Sequence, residues 1–596
     1  MTPATGSRAR WAVPGYALAL TFAVTAPLLS PGYLLIRDAV STPRSYLSDS
    51  AIGLGESAPR AVPQDFAVAV LSAAVDGGVI VKALLIAALW VAGWGAGRLS
   101  GQLLPDAGLP GQLVAVTVAM WNPFVAERLL QGHWSLLLGY GCLPWVASAV
   151  IQWRADPRPA HWAPLVFWIA LAGFTPTGLI MAAVIGLVCA AVSGSRRVDD
   201  AAEGRGGGGA RQSGSRRVDD AAGVSRLRCA TTVLGIAAAA ALPWLTASAL
   251  GTALSAPQSA GLASFAARAE PGLGTLGSLA GLGGLWNAAA VPDSRTTGFA
   301  VVATVVLLAV VACGVPVLVR RHSTEPLVIL AVAAVLVPAA MATAPGMAAL
   351  RAGVDAVPGL AVLRDAQKWV ALAMPGYALA GAAAVLVLRR WVRPALAALA
   401  CCAALVAVLP DLAWGVGGAL HPVRYPPGWA AMAQQVNADP QTVAALPIGT
   451  MRRFAWSGAA PVLDPLPRWV KADVLTTGDL LIAGKTVAGE GGRAREVQRL
   501  LESGTDPAEL NRAGVGWLVV QRGTPGAMGE AQRTLQRLSP AYSDADIALY
   551  RIGGVSPVAS QAKRGAMILA HLVWAAMVLG GAAAMVLGRL RRAGQS

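Results

Sequence analysis

Apolar runs long enough to cross a membrane recur along almost the whole of this 596-residue sequence. An α-helix needs about 20 mainly apolar residues to span the hydrocarbon core of a bilayer. Short loops rich in arginine separate the runs, and 55% of all residues are hydrophobic while only 13% are charged. Soluble domains carry about 25% charged residues. The sequence therefore predicts a predominantly α-helical, polytopic membrane protein.

The lengths of the apolar runs predict about 12 spans. Ten of these spans lie near 11–30, 79–98, 109–126, 135–153, 229–250, 297–319, 326–343, 369–388, 394–410 and 565–588. The segment 163–193 lies between two basic loops and carries a turn signal, FTPTG, at 174–178. We therefore expect two short helices there, which either cross the membrane or form a re-entrant pair.

Charge is distributed unevenly along the chain. The 47 Lys and Arg exceed the 31 Asp and Glu by 16, an excess that in a soluble protein would suggest nucleic-acid binding. Here the arginines cluster between the apolar runs, as the positive-inside rule requires of cytoplasmic loops. We therefore predict a multi-pass plasma-membrane protein with both termini in the cytoplasm and no nucleic-acid partner.

We divide the chain into three parts. Residues 1–415 form a multi-span domain, residues 416–562 form a polar segment, and residues 563–596 form the final span with a cytoplasmic tail. The long loops of the first part are 31–78, 251–296 and 344–368 outside the membrane and 194–228 in the cytoplasm. The cytoplasmic loop is Gly-rich and belongs to a stretch that repeats SGSRRVDDAA at 193–202 and 213–222. Its composition is typical of a flexible insertion.

The polar segment 416–562 has its own pattern. Strand-like alternation occurs at 442–447, 516–521 and 546–552. Apolar residues at helical spacing occur at 493–503 and 528–538. The segment therefore predicts a small extracytoplasmic α/β domain.

The first outer loop holds a candidate catalytic carboxylate. Asp38 follows the first span by only a few residues, and Arg37 precedes it directly. A carboxylate at this depth can act as a general base toward a hydroxyl group, while nearby arginines bind a phosphate. The structural alternative is a helix cap or an interfacial ion pair.

Two further segments place charges at the ends of spans. The sequence WNPFVAERLLQGHW at 121–134, expected as a turn between the third and fourth spans, contributes Glu127, Arg128 and His133. The sequence LRDAQKW at 363–369 contributes Arg364, Asp365 and Lys368. Ionisable groups near the membrane indicate substrate binding, and the two cations suit a lipid phosphate. The alternatives are internal pairing of Glu127 with Arg128 and an interfacial anchor of basic and aromatic residues.

The common hydrolase signatures are missing from the sequence. No two of the five histidines are spaced as metal ligands, and there is no nucleophile elbow. We therefore predict no metal site from the residues themselves.

The segments at 121–140 and 363–369 resemble stretches of the large actinobacterial arabinofuranosyltransferases of cell-wall arabinan synthesis. The arrangement of spans, a long first outer loop with an early acidic residue and an outer α/β module resembles the GT-C class of polyprenyl-phosphate-dependent glycosyltransferases. The resemblance implies a polyprenyl-phosphate-linked sugar as donor, a cell-envelope glycan as acceptor and membrane lipid as surroundings.

The resemblance also implies a catalytic base in the first outer loop. By position this base is Asp38, with Asp49 and Asp65 as lesser candidates. Clearer members of the class have an adjacent acidic pair there, whereas this chain has Arg37 and Asp38. The requirement for a divalent cation therefore stays open.

Three functions are consistent with the sequence. The first is a membrane glycosyltransferase acting on the outer side of the membrane. The second is a lipid-linked-sugar transporter or flippase, for which the broken helix pair around Pro176 would supply a midplane site. The third is a noncatalytic GT-C-like scaffold protein.

Overall fold

The computed structural model describes residues 4–55, 59–158, 161–191, 224–251, 259, 261–482, 484–555 and 558–593. The repeat predicted at 193–202 and 213–222 and most of the predicted loop 194–228 lie outside the described residues. The same holds for residues 252–258 of the loop 251–296.

Most of the described chain is helical, as predicted. Seven described helices are long and apolar enough to cross a membrane: Trp11–Leu29, Gly77–Leu103, Pro105–Gln131, Trp134–Ala155, Phe299–Leu318, Ala366–Leu388 and Gln561–Arg591. Three bent pairs pass the same test: Arg226–Ala240 with Leu242–Leu250, Glu325–Met341 with Ala344–Ala356, and Pro394–Ala407 with Pro410–Gly417. Each predicted span outside 163–193 coincides with one of these helices or pairs.

The segment 163–193 forms two shorter apolar helices, Trp162–Ala172 and Pro176–Ala191. The break falls at the turn signal, and the Thr175 hydroxyl accepts a hydrogen bond from Gly178 N at 3.1 Å. The prediction of two short helices is confirmed.

Small residues bring the membrane helices close together. Gly141 in Trp134–Ala155 faces the helix Gly77–Leu103, where an added Cβ would lie 2.6 Å from the carbonyl oxygen of Ala88. Close approach of this kind is how apolar helices gain packing energy in a lipid environment, where there is no hydrophobic driving force between them. These two helices therefore meet through close backbone packing at Gly141.

The third membrane helix is broken near its end. Asn122 accepts a hydrogen bond from Val125 N at 3.1 Å, Pro123 is the first helical residue, and Gly132 ends the new helix in a left-handed conformation. These are the usual start and stop signals of a helix. The expectation of a turn at 121–134 is therefore wrong, because most of this segment is the helix Pro123–Gln131.

The remaining α-helices are shorter. They are Gln64–Leu71, Gly274–Ala280, Pro427–Ala438, Leu466–Trp469, Gly492–Glu502, Pro507–Arg512 and Ala531–Leu535. The strands are β1 (Leu35–Ile36), β2 (Ala39–Val40), β3 (Val443–Leu446), β4 (Met451–Arg452), β5 (Val462–Leu463), β6 (Leu480–Ile482), β7 (Lys485–Val487), β8 (Trp517–Gln521), β9 (Pro540–Ser543) and β10 (Ile547–Arg551).

Residues 427–551, called the α/β region here, contain a four-stranded sheet of order β3-β8-β10-β9. β3 and β8 are parallel, and the other pairs are antiparallel. The strands predicted at 442–447, 516–521 and 546–552 and the helix predicted at 493–503 are confirmed. The helix predicted at 528–538 is shorter, at Ala531–Leu535.

The first long loop, residues 31–78, is attached to the α/β region by backbone hydrogen bonds. The hairpin β1–β2 lies beside β5, since Arg37 N donates to Pro461 O at 2.8 Å and Leu463 N donates to Arg37 O at 2.8 Å. This attachment holds the hairpin turn, Arg37 and Asp38, at the junction between membrane helices and sheet.

Candidate functional site

The C-terminal end of the helix Pro123–Gln131 contacts the hairpin turn that carries Asp38. Asp38 N donates a hydrogen bond to Gln131 O at 3.1 Å. Gly132 follows at φ 82°, and a Cβ there would overlap the backbone nitrogen of Ala39 and the carbonyl oxygen of Ile36. Only glycine provides both the left-handed conformation and this close approach. The end of the helix and the turn with Asp38 are therefore in direct backbone contact.

The Asp38 carboxylate is held on one side and open on the other. Gln131 Nε2 donates to Asp38 Oδ2 at 3.0 Å, and His133 Nε2 lies at 3.0 Å from the same oxygen. Among the described residues, Oδ1 has no hydrogen-bond partner, and 41% of the side chain is exposed. One oxygen is thus fixed by the protein, and the other is free to accept a proton from a ligand.

These neighbours also set the charge of Asp38. Burial raises its pKa, but the interactions with His133, Gln131 and the Arg37 charge outweigh burial, so the pKa lies below the ordinary value of 3.8. Asp38 is therefore ionised at neutral pH, as a base must be.

The tautomer of His133 follows from its second neighbour. Arg128 Nη1 lies 3.0 Å from His133 Nδ1, and a guanidinium can only donate hydrogen bonds. Nδ1 is therefore the acceptor, so the ring proton of neutral His133 resides on Nε2 and points at Asp38. The histidine is oriented by an arginine and donates to the carboxylate.

Arg128 is the centre of a buried ion-pair network. Its side chain is fully buried, and Nη1 and Nη2 donate to the two oxygens of Asp365 at 2.7 Å and 3.2 Å. Nη2 also donates to Gln367 Oε1. Two-point binding of this kind fixes both direction and distance. The network joins residues that are 237 positions apart in sequence.

Glu127 extends the network to the loop 251–296. Its carboxylate accepts hydrogen bonds from Gly284 N at 3.1 Å, Leu285 N at 3.2 Å and Gln367 Nε2 at 3.0 Å, and the residue is fully buried. The sequence placed Glu127 among substrate-binding residues, whereas the structure places it against backbone amides. Glu127 fixes the loop rather than facing an opening.

Arg37 also points into the protein. Nη1 donates to Leu130 O at 2.6 Å and Nη2 donates to Ala289 O, and only 6% of the residue is exposed. Its backbone has a positive φ of 46°, which is uncommon for a residue with a side chain. Arg37 thus stabilises the turn that carries Asp38.

Two cations of the site have no polar partner. Among the described residues, neither the Arg364 guanidinium nor the Lys368 ammonium forms a hydrogen bond or an ion pair. Arg364 lies 4.4 Å from the ring centroid of Phe265, and Lys368 lies 5.6 Å from that of Trp369. Both residues are partly exposed. Half-buried cations that form no hydrogen bond or ion pair are candidates for binding an anionic ligand.

Arg364 lies within the electric field of the groups around it. Burial, followed by repulsion from Arg60, lowers its pKa from 12.5 to about 10, while the charges of Glu490, Asp365 and Asp38 act in the opposite direction. The side chain therefore remains charged at neutral pH.

An ion pair between the first long loop and the α/β region lies near Arg364. Arg60 in the first long loop forms an ion pair with Glu490, whose side chain is 7% exposed while that of Arg60 is 49% exposed. Glu490 Oε2 is buried without a partner among the described residues. The α/β region thus contributes a charged residue at the edge of the site.

The other two acidic residues of the first loop lie elsewhere. Arg564 Nε and Nη2 donate to Asp49 at 2.6 Å and 2.8 Å, and Arg468 donates to both oxygens of Asp65 at 3.0 Å. Both carboxylates are thus occupied by arginines. Asp38 differs from them because its free oxygen faces no arginine.

The described residues contain no group of three or more His, Cys, Asp or Glu side chains that could hold a metal ion. Asp38 is surrounded by an amide and a histidine, and Asp365 is bound by Arg128. These residues do not fit a divalent cation, so the mechanism below contains no step through one.

Sequence reasoning missed three amide side chains. Gln131 binds Asp38, Gln367 joins Arg128 to Glu127, and Asn287 Nδ2 donates to Gln131 Oε1 at 2.7 Å. The last contact turns the Gln131 amide so that its nitrogen faces Asp38. Gln131 and Gln367 lie inside segments that the sequence marked, but an amide without charge gives no pattern of its own.

Known structures decide the fold class. The cryo-electron microscopy structure of arabinofuranosyltransferase AftD from mycobacteria is similar to this chain, with a TM-score of 0.56 and 15% identity over 91% of this chain and 40% of that one. This chain has a GT-C fold. A mutant of the same transferase matches with a TM-score of 0.51 and 15% identity, over 91% of this chain and 42% of that one.

The GT-C fold predicted from the sequence is confirmed, together with its small sheet region. This chain spans less than half of the length of the transferase that it resembles. No family model matches the sequence, and no curated protein matches it. At 15% identity the similarity shows the fold alone, and evidence for an activity comes from the site.

Proposed function

We propose that this protein is a membrane glycosyltransferase. It moves a sugar from a polyprenyl-phosphate donor to a cell-envelope glycan or lipoglycan on the outer side of the membrane. Arabinofuranose is the first sugar to test, because the solved structure that this chain resembles is an arabinofuranosyltransferase.

One observation carries the proposal. An ionised carboxylate with one free oxygen, Asp38, lies in the same site as two cations without partners, Arg364 and Lys368. Transfer from a phosphate-linked sugar needs a base for the acceptor hydroxyl and positive charge for the departing phosphate. A GT-C fold carrying both groups in one site supports this reaction.

Asp38 acts on the acceptor in this mechanism. Asp38 Oδ1 takes the proton of the acceptor hydroxyl. At the same time the acceptor oxygen forms a bond to the anomeric carbon of the donor sugar. His133 and Gln131 keep Oδ2 in place, so that Oδ1 faces the acceptor. Attack from the side opposite to the phosphate inverts the anomeric configuration.

Arg364 and Lys368 act on the leaving group. The bond between the anomeric carbon and the phosphate oxygen breaks, and its electron pair leaves with the polyprenyl phosphate. The two cations stabilise the charge that develops on that oxygen. Arg128, Glu127 and Asp365 are positioning residues, since their charges are already bound to each other and to backbone amides.

The orientation in the membrane belongs to the same proposal. Arginine clusters between the spans support cytoplasmic termini. Asp38, the cations and residues 416–562 then lie on the extracytoplasmic side, where the acceptor glycan is found. Reaction of a cysteine introduced at Arg453 with a membrane-impermeant thiol reagent in intact cells tests this orientation.

The central experiment measures sugar transfer by the purified protein in lipid nanodiscs. The donor is a synthetic polyprenyl-phosphoryl arabinofuranose, and the acceptor is an oligoarabinofuranoside. We expect Asp38→Asn to lower kcat by about 10²- to 10⁴-fold, the usual contribution of a general base. Asp65→Asn is the matched control, because this carboxylate is bound by Arg468, and it should keep transfer near the wild-type rate.

Two further experiments test the other functions. Movement of the labelled donor across a proteoliposome membrane without transfer would favour a lipid-linked-sugar transporter. Intact glycan synthesis in cells that carry Asp38→Asn, lost only when 416–562 is deleted, would favour a noncatalytic scaffold.

A further inference from the structure

A groove separates the first long loop from the α/β region, and neither Asp38 nor the two cations line it. It has a volume of about 390 Å³, and its walls include Arg44 and Tyr46 from the loop and Gln434, Asn437 and Trp469 from the α/β region. This volume lies within the range of small-ligand sites, which occur preferentially between domains. No residue of the groove takes part in the mechanism above.

The sequence of the helix Pro427–Ala438 keeps the groove open. Ala430, Ala433, Gln434 and Asn437 line it, at the spacing that places residues on one face of a helix. A helix face that packs against a neighbour normally carries large apolar residues. This face instead carries small and amide side chains, which leave space between the helix and the loop.

The groove retains unused hydrogen-bonding groups. Gln434 is exposed, and its amide has no partner among the described residues. Asn437 Oδ1 accepts a hydrogen bond from Lys471 N at 2.6 Å, which leaves the Asn437 amide nitrogen free to donate to a ligand. The opposite wall has the half-exposed ring of Tyr46, with the Arg44 guanidinium 5.4 Å from its centroid.

This combination suits a carbohydrate chain. Sugar rings present apolar C–H faces to aromatic and aliphatic side chains, and their hydroxyl groups pair with amides and arginine. The walls contain no carboxylate, so nothing repels a glycan that carries anionic substituents. A membrane lipid would need a long apolar surface, and this groove is interrupted by amides.

We propose that this groove binds the acceptor glycan at sugar residues remote from the reacting end. The proposal rests on the transferase function and deepens it, since it makes the enzyme prefer long acceptors. Pro43, in the groove wall, follows Asp38 in the same loop, so their Cα atoms lie no more than about 18 Å apart. An oligosaccharide of a few sugars is long enough to bridge even the greatest distance that this connection allows.

The experiment uses full-length protein in nanodiscs and linear oligoarabinofuranosides of increasing length. Calorimetry measures binding of the longest member, and kinetics measure the acceptor KM against length. We expect Gln434→Ala to weaken binding roughly two- to tenfold, the effect of one lost hydrogen bond. The neighbouring Gln435→Ala is the matched control, because Gln435 does not line the groove, and it should bind like wild type.

A second variant fills the groove without touching its hydrogen bonds. Ala430 is exposed, so Ala430→Trp should fold, abolish the fall of KM with length and leave kcat for the shortest acceptor unchanged. Ala430→Ser, which adds only a hydroxyl group, should keep the length dependence. Equal binding of the longest oligosaccharide by wild type and Ala430→Trp would overturn the proposal, as would no binding by wild type.

The two proposals fail in different ways. Transfer that is independent of acceptor length and insensitive to Ala430→Trp would exclude the groove as an acceptor site and would still support the transferase function. Binding that Ala430→Trp abolishes, in a protein that transfers no sugar, would keep the groove as a glycan site and remove the transferase.

Discussion

Two groups of polar and charged side chains lie next to each other in this protein and differ in what surrounds their charges. The first, the closed network, consists of Glu127, Arg128, Asp365 and Gln367, which bind each other and backbone amides. The second, the open cluster, consists of Asp38, Arg364 and Lys368, which keep atoms without partners among the described residues. Both occupy the junction between membrane helices and the α/β region.

This difference separates residues that stabilise the structure from residues that can act on a substrate. Removing one partner of a buried, paired charge costs stability. Such a charge also has no hydrogen-bonding position left for a ligand. A charge that is half-exposed and unpaired contributes little to stability but can bind substrate. Substitutions in the closed network should therefore lower stability most, and substitutions in the open cluster should lower activity most.

The largest effect is expected in the closed network. Arg128→Ala leaves the Asp365 carboxylate buried without its partner, which costs about 3–5 kcal/mol of unfolding free energy. Thermal unfolding in detergent should show a large fall of the midpoint. Arg128→Ala with wild-type stability and no transfer would instead assign Arg128 to the open cluster.

The next effect is expected in the open cluster. Lys368→Gln and Arg364→Gln each remove a charged contact to the donor phosphate and to the charge that develops on it, so kcat/KM for the donor should fall roughly ten- to hundredfold. The midpoint of unfolding should stay unchanged, because neither side chain has a polar partner to lose. A stability loss as large as that of Arg128→Ala would erase the distinction between the groups.

His133 connects the two groups, and its effect is expected in the pH profile. The pKa of Asp38 lies below 3.8, so the midpoint of the acid limb in kcat/KM of wild type should also lie below pH 3.8. His133→Ala removes the hydrogen bond that offsets burial, which raises the pKa of Asp38 and moves the acid limb to higher pH. Gln131→Ala should move it less, and an unshifted limb in both variants would contradict the role of these donors.

The smallest effect is expected at the edge of the site. Glu490→Gln keeps the shape of a buried side chain and removes its charge from the ion pair with the half-exposed Arg60, and a pair with an exposed partner contributes about 0–1 kcal/mol. Stability should hardly change, while the donor KM should fall slightly because Arg364 loses the attraction of a competing anion. A donor KM that rises in Glu490→Gln would show that Glu490 supports binding.

The sequence predicted the helices and strands well where local patterns determine them. The strands at 442–447, 516–521 and 546–552 follow from alternation, and the broken pair at 163–193 follows from one turn signal. The helix Pro123–Gln131 was missed although Asn122, Pro123 and Gly132 are start and stop signals. Its shortness and its position between two spans favoured a turn.

The site was predicted in part. The three segments around Asp38, Arg128 and Asp365 do meet in space, which the charges near span ends indicated. The partner of each charge depends on contacts between residues far apart in sequence, and no local pattern reports these. For this reason Arg37 and Glu127 were expected to face substrate, whereas they bind backbone groups.

The separation of Arg128 from Asp365 also concerns the synthesis of the protein. A ribosome adds Asp365 237 residues after Arg128, which at about 5–20 residues per second takes roughly 10–50 seconds. During this interval an arginine near the membrane interior lacks its carboxylate, which is a costly state. A nascent chain that stops before residue 365 therefore keeps an unneutralised arginine, and this charge distinguishes unfinished copies from finished ones.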